Sequence, residues 1–321
     1  MTSDKNSRLD KKLHPRNKNL VNYDLDALIK VNPALSAYIR PNKYGNNSVD
    51  FANPLAVKIL NKAILNHYYG IKYWDFPDQN LCPPIPGRAD YLHYIADLLA
   101  ENNLGKIPKG DCITCLDIGI GASCIYPIIG VVEYDWRFIG TDIDVKSINS
   151  AEKIINSNES LKGRIICKLQ KDPQSIFKGI INENDKIDIA ICNPPFHSSV
   201  EEAQKGSRRK IKNLSGKKVK TPRLNFSGVT RELITEGGEY GFMQKFIKES
   251  KLFSKNFYSF SSLVSKQSNL KDIYDLLEKM TAKDIKTIPI GTGNKKSRIV
   301  TWTFLTKKEQ EEWRESRWKS K

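Results

Sequence analysis

The stretch that most constrains the fold is a short apolar strand that two prolines stop. Residues 187–192 (IDIAIC) are mostly apolar and β-branched with a single charge, which is typical of a parallel strand covered on both faces. The strand is followed by Asn193 and then by Pro194, Pro195 and Phe196. Proline donates no ladder hydrogen bond, and it disfavours the helical region for the residue before it. We therefore expect Asn193 at the carboxyl end of a central strand, where ligands bind in open α/β sheets.

These four residues have the chemistry of a clamp for a planar amine. The side-chain oxygen of Asn193 and the carbonyl oxygen of Pro194 are both acceptors that can face one exocyclic amino group. Phe196 offers a flat face on which a ring can stack, and such stacking is worth roughly 1–3 kcal/mol per base. The alternative is a proline-terminated strand with a packed phenylalanine. We treat Asn193, Pro194, Pro195 and Phe196 as candidate catalytic residues, and the upstream sequence decides between the two interpretations.

A second motif lies upstream, where a predicted strand gives way to a glycine turn. Residues 113–123 (ITCLDIGIGAS) contain the strand, then Gly119 and Gly121, then small residues that open a new element. Glycine lets the backbone approach a ligand closely because it carries no side chain. The pattern is a shortened relative of the dinucleotide-binding fingerprint and lacks its third glycine. It predicts a nucleotide-type ligand at the end of this strand.

An acidic residue follows this turn at an informative spacing. The next predicted strand, 136–141, ends at Asp142, about 20 residues past the glycines, where a carboxylate accepts hydrogen bonds from ribose hydroxyls. Asp144 is the alternative acid. A third strand is predicted at 164–169, and residues 170–172 then lie where a loop contacts an adenine ring.

The order of the predicted elements indicates the fold class. Strands alternate with helices from residue 90 onward, and later strands are expected at 257–264, 285–290 and 298–305. The short join between the last two suits a hairpin, which places one antiparallel edge strand on an otherwise parallel sheet. A nucleoside-type site and an amine clamp at neighbouring strand ends predict a Rossmann-like class I methyltransferase that binds S-adenosylmethionine (SAM). We expect an α/β fold with a mostly parallel seven-stranded sheet and a small N-terminal helical appendage.

The chain divides into three expected segments. Residues 1–20 are a basic, flexible arm, residues 21–86 a helical appendage that binds RNA, and residues 87–321 the methyltransferase domain. The proline-rich connector 82–87 (CPPIPG) marks the boundary between the last two. Residues 205–223 carry nine lysines and arginines and no acid. This pattern predicts a mobile loop that grips phosphates beside the pocket, and the alternative is a solvated loop without a ligand.

Charge and composition narrow the partners. The 321 residues include 52 Lys and Arg against 36 Asp and Glu, a net charge of +16, which favours a nucleic-acid partner, although a lysine-rich proteome would also produce it. No apolar run is long enough to cross a bilayer, and the polar N-terminus lacks a signal-peptide core, so we expect a cytoplasmic protein. The six cysteines are expected to be free thiols, because the pair Cys112 and Cys115 has no second pair at zinc-ligand spacing. No metal is expected.

Six stretches resemble the bacterial 23S rRNA (adenine-N6)-methyltransferase family, which is itself similar to a eukaryotic methyltransferase-like RNA adenine-N6 enzyme. They read LHPRN from Leu13, VDFANPLAVK from Val49, PGRADY from Pro86, LDIG from Leu116 through ASCIYP from Ala122, NPPFH from Asn193, and EGGE from Glu236. The resemblance implies a SAM-dependent enzyme that modifies one adenine of 23S rRNA, either as naked rRNA or in a large-subunit assembly intermediate. We expect the protein to act as a monomer.

The motifs and the resemblance together assign individual residues. The residues expected to hold SAM are Arg88, Asp117, Gly119, Gly121, Ser123, Asp142, Asp172 and Asn193. The residues expected to hold the adenine are Asn193, Pro194, Pro195 and Phe196. The residues expected to contact RNA are Arg16, Lys18, Arg208, Arg209, Lys210 and Lys212.

Other functions are compatible with parts of this pattern. The same clamp can present a DNA adenine or a glutamine amide of a release factor, although a glutamine enzyme has little use for a cationic loop. An RNA-binding assembly factor without turnover is a rival of another class, and SAM binding discriminates against it. A Rossmann dehydrogenase would leave the clamp unexplained.

Overall fold

A seven-stranded sheet with helices on both faces forms the body of the protein. The computed structural model describes residues 13–20, 23–42, 44–202, 233–291 and 297–318. The strands are β1 (Ile39–Pro41), β2 (Asn47–Val49), β3 (Thr114–Ile118), β4 (Arg137–Asp142), β5 (Ile165–Leu169), β6 (Ile187–Cys192), β7 (Phe257–Val264), β8 (Asp284–Ile290) and β9 (Ser297–Thr303). The α-helices are α1 (Leu25–Val31), α2 (Pro54–Tyr69), α3 (Ile85–Glu101), α4 (Ile125–Tyr134), α5 (Val145–Asn156), α6 (Gly238–Leu252), α7 (Leu270–Lys279) and α8 (Lys307–Arg317). Short 3-10 helices lie at Pro33–Tyr38, Glu159–Leu161 and Gln267–Asn269.

The sheet has the order β5-β4-β3-β6-β7-β9-β8, and β9 runs antiparallel to both of its neighbours. This confirms the mostly parallel seven-stranded sheet. The sequence predicted the antiparallel strand at the edge of the sheet. In the structure it lies one position inside the edge. The reason lies in composition: β9 buries Ile299, Val300 and Trp302, whereas β8 contains Pro289, which cannot donate a ladder hydrogen bond and suits an edge strand.

Strand β6 is central, as predicted, and all six of its residues are buried. It pairs with β3 on one side and with β7 on the other, both in parallel. Ile189 and Ile191 pack into the core on one face of the sheet, and Ala190 and Cys192 pack into the core on the other. Burial on both faces explains why the strand is almost wholly apolar.

The appendage begins its main helix where the sequence indicated. The side chain of Asn53 accepts hydrogen bonds from the amides of Leu55 (3.0 Å) and Ala56 (3.3 Å), and Pro54 occupies the first helical position. Gly70, with φ +67°, caps the other end of α2. The small hairpin β1–β2 was not predicted, because strands of three residues leave no readable alternation. Apolar residues of the appendage share one core with the α3 face of the sheet.

Residues 13–20 pack against the body of the protein. His14 and Asn17 are 3% and 2% exposed. The amide nitrogen of His14 donates to Asp90 (3.0 Å), and the Asn17 side chain donates to the Pro86 carbonyl (2.8 Å). The expectation of a flexible arm is therefore wrong for residues 13–20, and residues 1–12 lie outside the described ranges.

Helix α8 was not predicted, and it closes the amino-terminal end of the sheet. Thr306 and Glu309 form a reciprocal capping box at its start. Its tryptophan and arginine side chains reach Asp188, the single charge in β6. Asp188 is fully buried and accepts from Trp313 (2.8 Å), Trp318 (2.7 Å) and Arg317 (2.9 Å). The single charged side chain of β6, Asp188, therefore holds α8 against the sheet through these hydrogen bonds.

In the described part of the chain, no helix has both the length and the apolar character needed to cross a membrane. All six cysteines are free thiols, and Cys115, Cys124 and Cys192 are buried.

Candidate active site

Two cavities meet at the carboxyl ends of the central strands. The smaller cavity, about 230 Å³, is bounded by the turn after β3, the end of β4, the loop after β5 and the end of β6. The larger cavity, about 950 Å³, is bounded by the N-terminal segment, the hairpin β1–β2, the start of α3 and the segment after β6. Leu81, Arg88 and Asn193 border both cavities.

The glycine turn forms the floor of the smaller cavity. Gly119 (φ +76°) and Gly121 (φ +63°) adopt left-handed backbone conformations that disfavour other residues. The amide of Gly121 donates to Asp142 Oδ2 at 3.0 Å. Ile120, in the glycine turn, packs closely against Gly140 of β4. A Cβ at position 140 would lie only 2.2 Å from Ile120 Cδ1. The turn is therefore held against β4 by a carboxylate and by a position that has no room for a side chain.

Asp142 ends β4 at the wall of the smaller cavity, as predicted. Its two oxygens accept from the amides of Gly121 and Asp144 (2.9 Å). Burial raises the pKa of this carboxyl group above its ordinary value. A carboxylate offers about four acceptor positions, so Asp142 retains capacity for ligand hydroxyls after both backbone bonds are made.

Asp117 lies buried in β3 beneath the glycine turn. Neither carboxylate oxygen has a hydrogen-bond partner among the described residues. Burial, then the nearby Asp142, raises the pKa of Asp117 to about 8, and the positive charge of Arg88 opposes this shift. Buried polar atoms without partners are rare in native proteins. This carboxylate therefore suits a ligand that brings a cationic or hydrogen-bond-donating group.

Asp117→Asn is expected to change the pH dependence of stability in the ligand-free protein. Between 3.8, the ordinary pKa, and about 8, the folded protein retains a proton that the unfolded chain has released. Stability contributed by this group therefore falls as pH rises through that window. Asparagine does not ionise, so the Tm of Asp117→Asn relative to wild type should rise from pH 5 to pH 8. Asp111→Asn, at an exposed position, is the control, and parallel profiles for wild type and Asp117→Asn would contradict the prediction.

Arg88 stands at the junction of the two cavities. Its Nη1 donates to the Tyr126 hydroxyl at 2.6 Å, and its guanidinium lies 5.3 Å from the centre of that ring. Its Nε is buried and has no partner in the described part of the chain. An arginine fixed in this way and left with an unused donor is suited to a carboxylate.

The end of β6 is supported by a buried hydroxyl network. The Cys192 amide donates to the Tyr91 hydroxyl (3.3 Å), which lies 2.9 Å from Ser261 Oγ, and Ser261 donates to the Ala190 carbonyl (2.8 Å). The sequence analysis assigned no role to Tyr91. Its place three residues after Arg88 in PGRADY was the available signal.

Asn193 separates the two cavities. Its Oδ1 is buried and has no hydrogen-bond partner among the described residues. Pro195 lines the smaller cavity, Phe196 lines the larger one, and Pro194 is buried between them. The acceptor of Asn193 that no described residue uses therefore lies at the boundary between the two cavities.

The segment after the clamp is held by a strand-like contact. The His197 amide donates to the Leu233 carbonyl (3.0 Å), and the Thr235 amide donates to the His197 carbonyl (3.1 Å). Residues 202 and 233 bracket an insertion that contains the predicted basic loop 205–223. Its four candidate RNA contacts lie outside the described residues: Arg208, Arg209, Lys210 and Lys212.

Most of the predicted cofactor residues converge on the smaller cavity. Those on its wall are Arg88, Gly119, Gly121, Ser123, Asp142 and Asn193. Asp117 lies beneath the turn. Asp172 does not face the cavity: it is exposed, and its carboxylate closes a turn by accepting from Gln174 N (2.9 Å) and Ser175 Oγ (2.7 Å). Gln170 and Pro173 line the cavity at this point instead.

Arg16 and Lys18 have partners within the fold. Arg16 pairs with Asp97 (2.7 Å), and Lys18 pairs with Glu133 (2.9 Å). Lys18 also donates to the Tyr68 carbonyl at 3.0 Å. Both cations therefore have ion-pair partners within the fold, and their contact with RNA stays a prediction. Within the described ranges, no cluster of three or more His, Cys, Asp or Glu side chains could hold a metal ion.

Comparison with known proteins places this arrangement in a family. The profile of an RNA methyltransferase family matches residues 7–306. Ribosomal RNA large subunit methyltransferase F of Cytophaga hutchinsonii is 51% identical over 96% of both chains, and that of Photobacterium profundum is 50% identical over 99% of both.

Solved structures agree with these sequence matches. The catalytic domain of human METTL16 in complex with a MAT2A 3′UTR hairpin has a TM-score of 0.78 and 26% identity, covering 92% of this chain and 96% of that one. The human METTL16 N-terminal domain in complex with SAH has a TM-score of 0.72 and 24% identity, covering 92% and 100%. With its Rossmann-like sheet, its glycine turn and its Asn-Pro-Pro-Phe clamp, the chain belongs to the RNA methyltransferase family.

Proposed function

We propose that this protein transfers a methyl group from SAM to N6 of an adenine in 23S ribosomal RNA. The observation that carries the proposal is the position of Asn193. Its side-chain oxygen has no partner among the described residues and stands between a cavity of nucleoside size and a much larger one. The smaller cavity would hold the cofactor, and the larger would receive the RNA. The names of the bacterial relatives support the substrate class.

The residues of the smaller cavity fit the functional groups of SAM. Within the described ranges, the Asp117 carboxylate and the Nε of Arg88 have no hydrogen-bond partner, and both suit an amino acid moiety. Asp142 suits ribose hydroxyls. The glycine turn lets the backbone approach closely, because neither Gly119 nor Gly121 has a side chain. When bound there, SAM supplies a methyl group on a sulfonium, which is intrinsically reactive toward a nucleophile.

The clamp would act by orienting the amine rather than by removing a proton with a strong base. The N6 lone pair of adenine is delocalised into the ring, so the amine is a poor nucleophile. Accepting both N6–H bonds at Asn193 Oδ1 and the Pro194 carbonyl would favour a pyramidal nitrogen and aim its lone pair toward the smaller cavity. Positioning of this kind supplies roughly 7–11 kcal/mol of a barrier. As the methyl group leaves the sulfur, the same oxygens would stabilise the positive charge that develops on nitrogen. The nitrogen would then release one proton to water.

The target base must leave its stack to reach the clamp. Extrusion costs a few kcal/mol, and stacking on Phe196 would offset part of this cost. The larger cavity exceeds the size of one base, so nucleotides on either side of the adenine can enter with it. Its wall includes the hairpin β1–β2, which supports a role for the appendage in holding RNA.

The basic insertion would supply the phosphate contacts. Residues 202 and 233, which flank the insertion in sequence, both lie beside the segment that follows Phe196. Phosphate neutralisation provides much of RNA affinity. We infer that the partner is 23S rRNA, free or in a large-subunit assembly intermediate in the cytoplasm, and that the protein acts as a monomer.

A methyl-transfer assay with three acceptors tests the proposal. The protein is incubated with methyl-labelled SAM and, separately, with unmodified 23S rRNA, duplex DNA and a release factor. We expect label in the rRNA alone. Label confined to DNA or to the release factor would overturn the substrate class while leaving the cofactor assignment intact. SAM binding without transfer to free rRNA would require the assay to be repeated with large-subunit assembly particles.

A further inference from the structure

Helix α6 carries two carboxylates ten residues apart, and each holds the backbone of a different turn. Glu239 lies in its first turn and is 1% exposed. Glu249 lies in its last turns and accepts from the amides of Ile176 (2.7 Å), Phe177 (2.8 Å) and Lys178 (2.8 Å). Ile176 lines the smaller cavity. Glu249 therefore holds the backbone at Ile176, which forms part of the wall of the proposed cofactor cavity.

Glu239 supports the other side. Its carboxylate accepts from the amides of Ser265 (2.7 Å) and Lys266 (3.1 Å), from the Asn269 side chain (2.9 Å) and from the Ser265 hydroxyl. All these donors belong to the turn after β7. Ser265 lines the larger cavity together with Asn193 and Phe196. One buried carboxylate thus fixes a section of the wall around the proposed RNA substrate.

A second carboxylate connects this turn to the segment after the clamp. Lys266 Nζ donates to Glu202 Oε1 at 2.6 Å. The other oxygen of Glu202 accepts from the Ser198 amide (2.8 Å) and hydroxyl (2.9 Å). Ser198 is two residues beyond Phe196, and Glu202 is the last described residue before the basic insertion. The network therefore runs from Glu239 to the adenine-stacking face.

Close packing of glycines brings the elements together. Gly238 has φ +61°, and a Cβ there would lie 3.4 Å from the Ser198 amide nitrogen. A Cβ on Gly241 would lie 2.4 Å from the Glu236 carbonyl oxygen. A side chain at position 241 would therefore clash with the turn that opens α6. The left-handed backbone at Gly237 (φ +70°) and Gly238 explains why two glycines directly precede Glu239.

We propose that Glu239 is a positioning residue for the RNA substrate. It acts through Ser265 and through the Lys266–Glu202 pair, and it fixes the position of the cavity wall relative to Phe196. The inference rests on the proposed function, because it assigns the larger cavity to RNA. Glu239 does not border the smaller cavity, so its replacement should leave SAM affinity unchanged. Glutamine at this position retains one acceptor oxygen but turns an amino group toward the donors of the turn.

The test compares Glu239→Gln with Glu249→Gln, which changes the same chemistry on the same helix. SAM affinity is measured by calorimetry, and kcat and KM for 23S rRNA are measured at saturating SAM. For Glu239→Gln we expect kcat/KM for rRNA to fall by about 10²-fold, the cost of a displacement of about 1 Å at a reacting centre, with wild-type SAM affinity. For Glu249→Gln we expect weaker SAM binding as the main effect.

Glu202→Gln provides an independent variant, because its side chain is 34% exposed and its loss threatens folding less. It should also lower kcat/KM for rRNA without changing SAM affinity, and it decides the question if Glu239→Gln does not fold. Wild-type rRNA kinetics in both variants, or an equal loss of SAM and rRNA affinity, would overturn the inference alone. Wild-type protein that methylates no form of the rRNA would remove the proposed function and this inference together.

Discussion

Replacing Asn193 with alanine is expected to lower kcat by about 10²–10³-fold, the usual cost of deleting one preorganised group that stabilises developing charge. The side-chain oxygen has no hydrogen-bond partner among the described residues, so its removal breaks no described contact of that atom. Without it, one N6–H bond of the adenine loses its acceptor, and the nitrogen is no longer aimed at the smaller cavity. Single-turnover methylation of 23S rRNA at saturating SAM measures the effect.

The control for this variant is Asn103→Ala. The side chain of Asn103 donates an exposed hydrogen bond to the Lys106 carbonyl (2.8 Å) and borders neither cavity. Its turnover should match wild type, and the Tm of Asn193→Ala should stay within a few degrees of wild type. Turnover preserved in Asn193→Ala would remove the clamp from the mechanism.

Asp188→Ala is expected to lower the free energy of unfolding by about 3–5 kcal/mol, as happens when one partner of a buried ion pair is removed. Four donors would lose their acceptor: the Thr114 amide (2.7 Å), the indoles of Trp313 and Trp318, and the guanidinium of Arg317. Helix α8 would then lose its anchor on the sheet. The denaturant midpoint at neutral pH reports the loss.

Glu312→Ala is the matched control on the same helix. Glu312 pairs with Lys308 at 3.9 Å, and both side chains are exposed, so the pair should contribute about 1 kcal/mol or less. Asp188 and Asn193 are at opposite ends of β6, roughly 16 Å apart at the rise of a strand. The folded fraction of Asp188→Ala should therefore retain wild-type kcat. Equal stability of the two variants would contradict this account of α8.

Much of the fold could be predicted from the sequence, because strands buried on both faces appear as continuous apolar runs. The bounds of β6 and β7 match the apolar runs at 187–192 and 257–264 residue for residue. The glycine turn and Asp142 were predictable for a related reason: a left-handed backbone and a carboxylate at a strand end leave local signals. Elements whose position depends on local composition were thus predicted correctly.

The remaining features depend on partners distant in sequence. The placement of β9 inside the edge follows from its pairing with β7, and Pro289 in β8 was the local signal that β8 forms the edge. The cations of Arg16 and Lys18 looked available until α3 and α4 brought Asp97 and Glu133 against them. Asp172 is an exception, because its oxygens accept from Gln174 and Ser175 in its own turn. Long-range pairing thus decided the position of β9 and the partners of Arg16 and Lys18.

Nucleoside analysis of the methylated RNA tests the central claim most directly. Unmodified 23S rRNA is treated with wild-type protein and SAM, digested to nucleosides and analysed by mass spectrometry against standards. A clamp that accepts both hydrogens of an exocyclic amine predicts N6-methyladenosine as the new product, and its initial rate of formation should fall by about 10²–10³-fold with Asn193→Ala. Methyl groups on a ring nitrogen, on a ribose hydroxyl or on another base would contradict the assignment of Asn193 and Pro194 as acceptors for adenine N6.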